Sequence, residues 1–99
     1  MLNFVLDIEL TLDLLLELDS FSERSRLSKE QIRDFIMIRD LAREIRLENK
    51  SEAEVRQTVQ KIRSDILAMD NIHQEFQSAL HPLVVRAQQY LEVAVKHAN

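Results

Sequence analysis

VRQTVQKIRSDILAMDNIHQEFQSAL, residues 55–80, carries apolar side chains at alternating steps of four and three. Val55, Val59, Ile62, Ile66, Met69, Phe76 and Leu80 make the ladder, and His73 is its one polar rung. That spacing is the signature of one face of an α-helix, and sustained over three heptads it resembles a coiled-coil seam. A start signal precedes it: Ser51 stands three residues before Glu54, the pattern of a capping box. The expectation is one long helix over 52–80. Pro82 then ends or kinks it, because proline lacks the N–H and crowds the preceding turn. Residues 83–97 resume in the same phase with Leu83, Ala87, Tyr90, Leu91 and Ala94. A kink or short corner at Pro82 is therefore expected, not a long loop.

The rest of the chain points to the same class. There is no glycine and only one proline in 99 residues. Tight hairpins, strand bulges and phosphate-cradling loops all draw on glycine's positive φ, so the chain has almost no route to a β-rich fold and none to a glycine-rich nucleotide loop. The expected fold is all-α: a single helical domain over 1–99, built as a small four-helix bundle or helical hairpin assembly. Its long central helix would be 52–80, with a Pro82 kink or corner.

Residues 2–19 read as a leucine-rich helix with two apolar sides. Phe4, Val5, Ile8, Leu12, Leu15 and Leu16 share one arc, and Glu9, Asp13 and Glu17 form an acidic stripe opposite. Leu6, Leu10, Leu14 and Leu18 make a second apolar row. Alternation through Leu6, Ile8, Leu10, Leu12 and Leu14 also has strand periodicity. Length, leucine content and the few β-branched residues favour the helix. Serine-rich residues 20–28 connect it to a second helix, 29–48. That start is marked by Ser28 with Gln31, and by the staple pair Leu27 and Ile32. Phe35, Ile38, Leu41, Ala42 and Ile45 form its core stripe, and Asn49 suits a left-handed residue after its end.

Charge is unevenly placed. Net charge is −4, yet residues 1–23 carry six acids and no Lys or Arg. Arg39, Arg43, Arg46 and Lys50 then form a basic row along the second helix, at i, i+4, i+7 and i+11. Two antiparallel helices would set that row beside the acids of the first, so internal pairing competes with an acidic protein partner. The acidic balance argues against nucleic acid, which is bound by displacing counterions with a basic field.

Few residues carry chemistry. Zero cysteines exclude disulfides and thiolate zinc sites and fit a reducing compartment, so a cytoplasmic location is expected. No uncharged run approaches the ~18 residues of a membrane span. The seven serines fall largely in caps and connections, with no elbow motif to activate one. Asp70 and His73 lie one helical turn apart, but di-metal bundles need such a pair from two helices. His73 is read instead as partly buried and bonded to Asp70 or a backbone carbonyl. No enzyme, cofactor or metal is expected. The remaining class is a protein-binding module: a small cytoplasmic chaperone, regulator or inhibitor acting through helix faces, with another protein or a second copy as partner. Its candidate contact residues are Leu6, Leu10, Leu14 and Leu18 with Arg39, Arg43, Arg46 and Lys50. The alternative is a scaffold that self-assembles through helix 52–80.

Overall fold

The computed structural model describes residues 3–98, with side-chain surroundings for 3–93. Residue 2 of the expected first helix, and the side chains of Ala94 and its neighbours, lie outside that range. The described chain is all-helical: α1 (Asn3–Ser20), α2 (Lys29–Leu47), α3 (Glu52–Ala68) and α4 (Gln74–Ala98). Each helix packs against its two ring neighbours, α1 on α2, α2 on α3, α3 on α4 and α4 back on α1. Short connections make neighbours antiparallel. Pairs such as Arg39 with Asp13 and Arg46 with Glu9 show this for α1 and α2.

Local chemistry explains most of the boundaries. Ser28 caps α2, its Oγ accepting the Gln31 N–H at 3.0 Å while Gln31 Oε1 accepts the Ser28 N–H at 3.0 Å. Leu27 is buried and Ile32 packs against the core on either side of that cap, as a staple requires. Ser51 Oγ accepts the Glu54 N–H at the start of α3. At the end of α1, Ser20 and Ser22 donate their hydroxyls to the carbonyls of Glu17 and Leu18; the Glu17 carbonyl also accepts the Phe21 N–H.

The expected helix 52–80 is in fact two helices. α3 stops at Ala68 and the chain turns through residues 69–73, where Asn71 takes a left-handed φ of 58°. Asparagine tolerates that region. Asn71 thus has the role expected of Asn49, whose φ is not positive. A straight continuation past Met69 would carry Phe76 and Leu80 some 15–20 Å beyond Ile66, at about 1.5 Å per residue, with nothing there to bury them. Folding back sets Phe76 against Phe35, ring centroids 6.5 Å apart and nearly edge-on. Gln31 Nε2 donates to the Asp70 carbonyl and ties the corner to α2.

Pro82 lies inside α4 and is not the corner. Leu80, Leu83 and Ala87 are all buried on one face across it, while the proline ring faces solvent. The core takes its residues from all four helices: Ile8 and Leu12, Phe35 and Ile38, Val59 and Ile62, Phe76 and Leu80 are almost wholly buried.

Candidate partner-binding face

α1 meets α2 through a set of ion pairs. Glu9, read from sequence as part of an outward acidic stripe, is only 4% exposed. Its Oε1 accepts from Arg43 Nε and Arg46 Nη2, each at 2.9 Å, and its Oε2 accepts from Arg46 Nε at 2.7 Å. A buried carboxylate is tolerable only when paired and hydrogen-bonded in this way. The Arg46 hydrogen bond is the largest influence on its pKa. Burial opposes it, and the Arg43 hydrogen bond and both positive charges add to it. Together they lower the pKa from 4.5 to about 2. The same hydrogen bonds hold Arg43 and Arg46 above their ordinary values.

The other basic residues are engaged as well. Arg39 Nη1 donates to Asp13 at 3.1 Å, and Arg43 Nη2 lies 3.9 Å from Asp13. Lys50 approaches Glu44 and Glu48 of its own region, at 3.9 and 3.6 Å. The three arginines of the row are thus turned towards α1, the internal pairing that an antiparallel α1–α2 hairpin allows. On the other flank Asp7 pairs with Arg86 of α4, whose guanidinium lies over the Phe4 ring.

The second leucine row faces outward. Leu6, Leu10, Leu14 and Leu18 are 40–55% exposed, while Phe4, Val5, Ile8, Leu12 and Leu15 on the opposite side are buried. Steps of four residues drift slowly round a helix, so the row forms a continuous ridge along α1. Phe21 extends it and is 80% exposed. Phe21 is the first residue of the connection, as the 20–28 reading has it. Its spacing of three from Leu18 was the available signal, and its N–H bonded to the Glu17 carbonyl at 3.2 Å holds it to the helical turn. Five large apolar side chains in one row expose roughly 500 Å², near the top of the range for one patch on a monomer. Glu17 and Glu23 lie along the same stretch, and among the described residues neither has an ion-pair partner.

Elsewhere the polar groups serve the fold. Asp19, only 4% exposed, accepts the Arg26 N–H and the Ser25 hydroxyl and closes the 21–28 connection. His73 is exposed, not partly buried, and bonds to neither Asp70 nor a carbonyl. It stands just before α4, where its Nδ1 accepts the Glu75 N–H at 3.3 Å. Among the described residues no three His, Asp or Glu side chains converge as a metal set, and no helix is long and apolar enough to cross a membrane. An open cleft of about 360 Å³ at the α3–α4 corner is lined by Ile66, Met69, Ile72, Leu80, His81 and Val84.

Compared with protein-family models, curated proteins and solved structures, the chain shows no match.

Proposed function

We propose that this chain is a non-enzymatic protein-binding module, a small chaperone, regulator or inhibitor, that works through the outward face of α1. One observation carries the proposal: Leu6, Leu10, Leu14 and Leu18 stand in an exposed row on a helix whose other side is already used by the core, with exposed Phe21 in the turn just past its end. Leaving such a row in water is unfavourable, and covering it gains about 25 cal/mol per Å² before the costs of association. The arginine row is committed to Glu9 and Asp13, so we assign it the task of holding α1 in place and leave primary contact to the leucines. A reducing, cytoplasmic setting suits a chain without cysteine. The net negative charge favours protein over nucleic acid as partner. We also read Pro82 as a bend: without its N–H the Ser78 carbonyl loses its bond along the helix, and α4 can curve over the core. Self-assembly through the 52–80 ladder is disfavoured, because Val59, Ile62, Ile66, Phe76 and Leu80 are buried within the bundle.

The test is a comparison of wild type with Leu10→Glu/Leu14→Glu. Both positions are exposed, so the variant should keep its helical circular dichroism and lose association with whatever wild type binds. Undiminished association in the folded variant would refute the proposal.

A further inference from the structure

We infer that the occupant of the α1 ridge is a second copy of this chain, two α1 helices lying antiparallel about a two-fold axis near position 12. The inference rests on the proposal that this face is the binding surface. The spacing carries it first. Leu6, Leu10, Leu14 and Leu18 are symmetric about position 12, so in an antiparallel pair Leu10 meets Leu14 of the second copy and Leu6 meets Leu18 of the second copy. Rows of i, i+4 side chains interlock with their like in the commonest class of helix packing. Isologous two-fold pairing is also the commonest form of self-association.

Charge agrees with this arrangement. A two-fold axis between antiparallel α1 helices keeps α2 of both copies on one side. Glu17 then falls level with Asp7 of the second copy, which Arg86 neutralises on the α4 flank, and on its own flank it comes beside the α2 turns that reach Glu9 there. Those turns carry Arg43 and Arg46. The Arg43 side chain is 40% exposed, and among the described residues its Nε is bonded to Glu9 while its Nη1 makes no hydrogen bond. Glu17, with no ion pair of its own among the described residues, gains one in the dimer. Two ridges of roughly 500 Å² together reach about 1,000 Å², the lower bound for a specific interface. An outside protein reaches the ridge by displacing the second copy.

Sedimentation equilibrium from micromolar to sub-millimolar concentration tests this, with single-cysteine variants for orientation, since the chain has no cysteine of its own. Wild type should be a monomer–dimer equilibrium. Glu17→Lys, a surface change, should weaken it about tenfold, and Leu10→Glu/Leu14→Glu should abolish it with helical content retained. Mixed L10C and L14C chains should crosslink on oxidation faster than either variant alone. A wild type that stays monomeric throughout overturns the second copy as occupant, and leaves the face to be judged by its loss of another partner in the double-glutamate variant. A dimer that persists in the folded double-glutamate variant overturns both. Faster crosslinking of like with like overturns the antiparallel arrangement.

Discussion

Glu9→Gln removes one negative charge from between two arginines and changes almost nothing else in shape. In the folded protein the Glu9 pKa is lowered from 4.5 to about 2, first by the Arg46 hydrogen bond and then, against burial, by Arg43 and the two charges. A folded value below the unfolded one means that the unfolded chain takes up the proton first as pH falls. The ionised carboxylate therefore stabilises the fold fully above pH 4.5, and that contribution is lost as pH drops towards 2. At about 1.4 kcal/mol per unit the shift corresponds to about 3 kcal/mol. The arginines are 32–40% exposed and regain water in the variant, so about 2–3 kcal/mol is expected. Urea melts of both proteins at several pH values measure it. The gap should be near that value at pH 7, roughly halved at pH 3 and mostly gone at pH 2. A gap below half a kcal/mol at pH 7, or one of constant size down to pH 2, would refute a stabilising, ionised Glu9.

Three further outcomes are open to the same melts. Ile66 is buried at the last turn of α3, and Ile66→Ala should cost about 2–4 kcal/mol; a loss under half a kcal/mol would remove it from the core. Ser28→Ala should cost about 1 kcal/mol, because the Gln31 N–H loses its acceptor; an unchanged midpoint would show that the cap contributes nothing. Asn71→Ala should cost about 1 kcal/mol while Asn71→Gly stays near wild type, since only alanine resists a φ of 58°; equal stability of the two variants would mean that the corner relaxes out of the left-handed region.

Much of this fold was legible in local chemistry. Helix class follows from the 3.6-residue period and the missing glycine. The starts at Ser28 and Ser51 follow from side chains three residues apart, and the buried side of α1 from its heavier apolar arc. All of these depend on contacts within a turn or two, which sequence spacing reports directly. The two-sided character of α1 was legible in the same way, and with it the exposed leucine row.

Other features depend on what comes near in space. The ladder from Val55 to Leu80 keeps its phase whether the chain runs straight or folds back at Asn71; only the presence of Phe35 and the rest of the core at the near end makes folding back the lower-energy choice. Likewise Pro82, a breaker by its own chemistry, is held within α4 because Leu80, Leu83 and Ala87 bury together on both sides of it. Glu9 reads as a solvent-facing acid until α2 brings two guanidiniums to it across 34 and 37 residues. The sequence by itself determined the helical class, the helix starts at Ser28 and Ser51 and which faces are apolar, since a cap or a helix face depends only on neighbours three and four residues away. Tertiary structure decided where the long ladder breaks and which charges are buried, because burial and ion pairing are set by surfaces that meet only when the helices pack.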